Sequence, residues 1–346
     1  MEPNEIFDCA IIGGGFAGLS AAVNLGRMRR SVAVIDDREG RSLWGQFNHN
    51  YLGFPEGASA AELHRRGRQQ AANYGTDFFR GRVIDARILE AGKLFNLNLA
   101  PQLNSTAGLA SNIAQLDAQG QLFGERSPGG EGMILQARKL ILATGVRDFF
   151  PIFPGFTECV GRSLFWCIQC DGYEAIDHIL AVVGDDEEAA ETALDLLEFT
   201  SQITLVAGSP HGFRLSTSRL ADLHDNNILT YSSAVQEYQH AAGQIQKLIL
   251  ADVAQTSLSV EMVFAYRSPQ PRNEVAKMLG VVLNQVGHIV IDSEQHTSVS
   301  GVYAAGDVTS PHDHQVSAAV HEGNQAACGV NYDLYRRVQQ TPSSLV

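Results

Sequence analysis

Apolar positions along the chain fall twice into one arrangement: a short apolar run, a glycine-containing turn, then an Ala- and Leu-rich stretch at helical spacing. The first arrangement spans Phe7 to Arg30 and the second Ile179 to Phe199. Two strand–turn–helix units predict an α/β fold made of two doubly wound, Rossmann-like three-layer domains. Further strands are predicted at Ser31 to Ile35, Leu94–Leu99, Met133–Leu142 and Val260 to Ala265. Gly287 to Asp307 is again strand-like, and helical spacing covers Val316 to Val330. Pro151 and Pro154 interrupt regular structure after Ala143-Thr144-Gly145, and Pro269-Gln270-Pro271-Arg272-Asn273 makes a second turn-rich break. These breaks predict a discontinuous domain, 1–149 with 273–346, and a second domain, 150–272, inserted in it. Residues 103–131 are polar and Gly-rich, and read as a surface insertion between two strands.

The first glycine turn carries chemistry. Gly13, Gly15 and Gly18 form a G-x-G-x-x-G set directly after a strand. Gly13 permits the tight turn, Gly15 lets a pyrophosphate approach the backbone, and Gly18 permits close packing of helix on strand. The helix N-terminus, with Phe16 and Ala17, then presents unpaired N–H groups to anionic phosphate. The next strand ends at Asp36 and Asp37, where a carboxylate can accept from ribose hydroxyls.

Composition removes several function classes. The 346 residues carry a net charge of −13, which excludes a phosphate-backbone partner, and no apolar run approaches the roughly 18 residues that cross a bilayer. The short acidic N-terminus leads directly into a strand and is not a signal peptide, so a cytoplasmic protein is expected. Five cysteines do not make a disulfide framework. Cys9 and Cys328 read as small core residues and Cys159 lies in a linker, which leaves Cys167 and Cys170 as the one close pair. A Cys-x-x-Cys pair closes a small ring and exchanges disulfides intramolecularly, and a helix opened by Cys170 would favour its thiolate. Asp171, next in sequence, supplies an acid. Half a zinc site is the other reading of the pair, but no second CxxC completes it, and no metal is expected.

Several segments resemble known families. Gly301 to Val308, ending in Gly306-Asp307 before a helix start at Gln315-Val316, resembles the element that holds the ribityl chain in FAD-dependent disulfide reductases. Ala143-Thr144-Gly145 resembles the ATG segment of that group, and Trp44-Gly45-Gln46 its Gly-Gly-Gln turn, with Trp44 departing from glycine. The resemblance implies FAD, with Asp307 on the ribityl chain and Gly45, Gln46, Val83, Gln315 and Val316 among its contacts. Cys167-Ile168-Gln169-Cys170-Asp171-Gly172 resembles the redox site of low-molecular-weight thioredoxin reductases. That likeness covers nearly the whole chain. It implies a homodimer in which Cys167 meets the partner disulfide, Cys170 faces the flavin, Asp171 is the acid, and an interdomain rotation moves the pair between them.

The chain departs from that family at the second glycine turn. Gly184-Asp185-Asp186-Glu187-Glu188 places Asp186 where the second glycine belongs, and four carboxylates repel phosphate. Ala207-Gly208-Ser209 replaces the His-Arg-Arg segment that holds the 2′-phosphate of NADPH, and only Arg214 matches a later Arg of the pattern. NADPH use is therefore not expected. The pattern resembles the NADPH-independent branches, the diflavin-linked disulfide oxidoreductases with a second FAD and the ferredoxin-dependent flavin thioredoxin reductases. The expected partner is a thioredoxin-like or small-molecule disulfide. The acidic balance weighs against ferredoxin, although Arg27, Arg29, Arg30, Arg65, Arg66 and Arg68 are candidates for a docking patch. Two other readings stay open: a dithiol oxidase that reduces oxygen, whose known members carry His where this chain has Asp171, and a non-catalytic flavin-binding redox sensor.

Overall fold

The computed structural model describes residues 6–43, 47–100, 125–126, 132–149, 151–265 and 269–335. Gly45 and Gln46 lie outside these residues, as does most of the 103–131 insertion. The described part of that insertion, Glu125–Arg126, adds a short parallel strand beside Asp77–Arg80. No helix among the described residues is long and apolar enough to cross a membrane.

The first sheet has eight strands among the described residues. At its centre Ile6–Ile12 runs parallel to Val32–Asp36 and to Met133–Leu142. Side chains alternate across its second half: Ala10 and Ile12 enter one core and Cys9 and Ile11 the other. Met133–Leu142 pairs Leu94–Ala100 along its first half and Val302–Ala304 along its last three residues. Helices Phe16–Arg27 and Val316–Leu334 cross closely on small residues, for a Cβ at Gly323 would lie 2.1 Å from the Ala17 carbonyl oxygen.

The second sheet is wholly parallel, in the order Leu164–Phe165, Met262–Ala265, Leu180–Val183, Ile203–Val206, Leu229–Tyr231. Leu180 and Val182 face one core, Ala181 and Val183 the other. Both faces of the strand are therefore buried, which is why it reads as continuously apolar. A three-stranded antiparallel sheet, Val235–Ala241, Gln244–Leu250 and Ser257–Ser259, packs beside it.

Three expectations need correction. Gly287 to Asp307 contains one strand, Val302–Ala304, because Asn284 and Asp292 turn the chain by accepting backbone N–H groups at His288 and at Glu294 and His296. The break at 269–273 is not only a turn, since Gln270–Pro271 pairs antiparallel with Val146–Arg147, so the two chain crossings between the sheets lie side by side. Cys159 ends the helix Phe156–Cys159 and is fully buried, a packing residue.

Candidate active site

A cavity lies at the carboxyl ends of the first sheet's strands, where open α/β sheets place their ligands. Its floor is the first glycine turn. Gly13 has φ +110°, and a Cβ there would sit 2.1 Å from the Ala143 carbonyl oxygen, so only glycine closes this turn. A Cβ at Gly15 would meet nothing nearer than the Ser42 hydroxyl at 3.6 Å, which leaves that stretch of backbone open to a ligand. Gly18 does not reach the cavity; its missing side chain makes room for the Gly13 carbonyl, 2.0 Å from where a Cβ would be. Phe16 and Ala17 line the wall where helix Phe16–Arg27 begins, a terminus without a side-chain cap and without an acid in its first turn.

Carboxylates and the closing segments complete the walls. Asp36 is buried beside Gly14 and accepts the Arg38 N–H at 3.2 Å. Asp37 also lines the cavity but is held by Arg82 at 2.9 Å and Arg272 at 3.5 Å. Val83, Ala143 and Gly145 form part of the opposite wall. Thr144 lines it too, and its hydroxyl donates to the Arg272 carbonyl at 2.6 Å, which ties this segment to the returning chain. Gly306, Asp307, Gln315 and Val316 approach from the C-terminal side.

Four residues that shape this site carried no motif. Arg41 pairs with Asp148 and reaches Asp307 at 3.3 Å, and these carboxylates hold its guanidinium protonated against the cost of burial. The Glu322 carboxylate accepts the Gly306 N–H at 2.6 Å and fixes that turn. His64 is buried with Nε2 at 2.8 Å from the Gly14 carbonyl, and burial keeps its imidazole neutral. Asn50 bridges to Gln315 at 2.6 Å. A sequence signal existed only for His64, an imidazole on the buried face of an amphipathic helix.

Cys167 and Cys170 form a disulfide that lines the same cavity, with Asp171 beside it. Cys167, not Cys170, opens the one-turn helix Ile168–Asp171, and its sulfur accepts the Cys170 N–H at 3.2 Å. Gly172 follows because a Cβ would strike the Ile168 carbonyl and the Phe199 ring, at 2.7 and 2.8 Å. Burial, and then the neighbouring Glu174, push the Asp171 carboxyl up to about 7. Asp171 is therefore about half protonated at neutral pH and can give or take a proton near the sulfurs. Glu174 in turn lies 3.7 Å from His49.

The second glycine turn is filled by its own side chains. Asp185 Oδ1 accepts the Gly208 and Ser209 N–H groups at 2.6 and 3.0 Å. Asp186 caps helix Glu187–Asp195 by accepting the Ala189 N–H at 3.2 Å. Glu187 accepts the Ser216 N–H at 2.6 Å and pairs with Arg219 at 3.0 Å. Five of the six arginines suggested as a docking patch are engaged as well, and Arg29 is exposed. Glu62 holds Arg65 and Arg66, Arg68 is buried over the Phe78 ring, Arg27 donates to Tyr74 and Arg30 to Asn331.

Residues 7–323 match the family model described as pyridine nucleotide-disulphide oxidoreductase. The chain is similar to a thioredoxin reductase of Aquifex aeolicus, 27% identical over 99% of this chain and 98% of the relative. It is 26% identical to a thioredoxin reductase of Bacillus subtilis, with 100% of both chains covered. Among solved structures, the thioredoxin reductase of Streptococcus pyogenes shares the fold, with a TM-score of 0.79 over 96% of this chain and 99% of that one at 24% identity.

Proposed function

This chain belongs to the pyridine nucleotide-disulphide oxidoreductase family, as a thioredoxin reductase-like enzyme with a Cys167–Cys170 pair, and we propose that it uses FAD but not NADPH. In this reading it exchanges electrons between FAD and a thioredoxin-like or small-molecule disulfide. The observation that carries it is the shared cavity: the disulfide, Asp171 and the open glycine turn line one space.

The residues present fit FAD. Gly13 and Gly15 leave a cradle at an uncapped helix start, Asp36 stands ready for ribose hydroxyls, and Asp307 with Arg41 occupies the far wall. FAD bound there would supply two-electron chemistry. The chain's own part is to hold the disulfide at the cavity and a proton on Asp171. Gly18 serves packing only, and Gly45 and Gln46 stay as expected flavin contacts. The residues of 1–149 and 273–346 would form the flavin domain, and 150–272 the domain that carries the pair.

Independence from NADPH is supported by the carboxylates at the second turn. The backbone N–H groups of Gly208, Ser209 and Ser216 are already satisfied by Asp185 and Glu187, so a phosphate placed there would meet anions rather than free donors. Anaerobic titration tests this directly: NADPH should leave the flavin absorbance unchanged, and prompt stoichiometric bleaching would sink the claim. A second FAD in place of the nicotinamide follows from the resemblance to the diflavin branch, and flavin content per chain decides it. Two flavins uphold it; one would favour ferredoxin, against which the engaged arginines weigh. The resemblance adds a cytoplasmic homodimer, which light scattering of the purified chain checks for assembly. The acid at Asp171 supports a reductase-like role over dithiol oxidation, and rapid oxygen uptake with a small dithiol would reverse that order.

A further inference from the structure

The two sulfurs of the pair are held by donors of different origin. Cys167 accepts the Cys170 backbone N–H at 3.2 Å, a donor within its own turn. Cys170 receives Nε2 of Gln315 at 3.4 Å, from the start of helix Val316–Leu334 in the other half of the molecule. The same nitrogen is 3.9 Å from Cys167, so Cys170 is its nearer partner.

The network leaves the direction of this contact no freedom. The Gln169 carbonyl can only accept, so Asn50, 3.4 Å away, must turn its amide nitrogen that way. That nitrogen also lies 2.6 Å from Oε1 of Gln315, the one acceptor of the glutamine side chain. Gln315 is thereby left presenting N–H to sulfur. An N–H donor is worth more to an anionic sulfur than to a neutral thiol or a disulfide.

We propose that Gln315, oriented by Asn50, is the positioning residue that favours the thiolate of Cys170 once the Cys167–Cys170 bond is opened. When a partner dithiol opens it, an S–S bond forms in the partner and the Cys167–Cys170 bond breaks. Of the two partner protons, one stays on Cys167 and one leaves to solvent, with Cys170 as the thiolate. The donor to Cys167 travels with its own turn, whereas the donor to Cys170 acts only while the two halves touch at this cavity. The inference rests on the functional reading above for its purpose, though not for its geometry.

Asp171 and Glu174 lie on the segment of Cys170, His49 stands opposite Glu174, and His314, Asp307 and Arg41 line the same cavity as Cys170. All of them stay in place when Gln315 is changed, so a difference between variants reports the amide. The test uses the full-length, flavin-loaded protein with Cys167→Ser, which leaves a single thiol in the pair. Alkylation of Cys170 by iodoacetamide is followed across pH by peptide-resolved mass spectrometry. Adding Gln315→Leu should raise the midpoint by about one pH unit and slow alkylation at pH 7 about tenfold. Gln315→Glu, which replaces the donor with an anion, should raise it at least as far. Asn50→Leu keeps the glutamine but frees its amide, and should shift the midpoint in the same direction by less. An unchanged midpoint in Gln315→Leu, or in Gln315→Glu where the leucine variant does not fold, overturns the proposal. Flavin content is read on the same samples, so a protein without flavin would remove the functional reading while the midpoint shift still upheld this one.

Discussion

At the first glycine turn, helix Phe16–Arg27 begins with bare N–H groups and no acid in its first turn. At the second, helix Glu187–Asp195 begins with Asp186 as a cap and Glu187 and Glu188 behind it. Both turns follow a buried parallel strand and both start with glycine, Gly13 and Gly184. The difference lies in who satisfies the backbone donors. In the first unit they face a cavity; in the second, Asp186 takes the Ala189 N–H, while Asp185 and Glu187 take the neighbouring donors of Gly208, Ser209 and Ser216. An anion site can thus be removed without disturbing the fold, by supplying the anion from within the chain. The two states differ by a few side chains on one backbone plan.

The sharpest way to break this comparison is at the open turn. Gly13→Ala should cost about 3 kcal/mol or more, because its Cβ would overlap the Ala143 carbonyl at a φ that L-residues avoid, and flavin content should fall to nothing. Gly15→Val, with open space where its side chain would go, should instead leave thermal stability nearly unchanged while flavin content falls. Equal loss of stability in both would show that the turn is structural only.

Next in size is the acid that the second half lends to the first half's cavity. With its carboxyl raised to about 7, Asp171 is protonated below that pH and loses its proton above it. Disulfide reduction should therefore fall as pH rises through about 7, and Asp171→Asn should slow it about a hundredfold and erase that limb. Folding stability follows the same sign: a raised carboxyl favours the native state at low pH, and that contribution is lost as pH rises through about 7. A pH profile identical in the asparagine variant would assign the proton to another group.

The closed turn gives smaller effects. Asp185→Ala strands the N–H groups of Gly208 and Ser209 and should cost about 1.5 kcal/mol in denaturant unfolding. Asp186→Ala removes a helix cap and should cost about 1 kcal/mol, while Asp186→Gly should cost only a few tenths. Neither Asp186 variant should let NADPH bleach the flavin, because Asp185 still occupies the next donors. Bleaching in Asp186→Gly alone would mean that one side chain, not three, closes the turn.

Periodicity and turn chemistry carried much of this molecule. Strands buried on both faces, such as Leu180–Val183, are continuous apolar runs, and glycine turns announce themselves because no other residue fits at Gly13. The disulfide pair and its acid were legible for the same reason, being contiguous in the chain. Gly287 to Asp307 misled, since alternating apolar residues there are cut by Asx turns whose hydrogen bonds compete with a ladder. The candidate basic patch shows a related limit, because charge is visible in sequence but partners such as Glu62, Phe78 and Asn331 are not.

Sequence alone therefore determined the two strand–turn–helix units, the adjacent sulfurs and the surplus of acid at the second turn. Only the tertiary structure decided where those acids point and what meets the disulfide. Asp185 reaches donors 23 residues away, and Gln315 meets Cys170 across 145 residues. Such contacts depend on how separate elements pack, and no local pattern of residues encodes the distance between them.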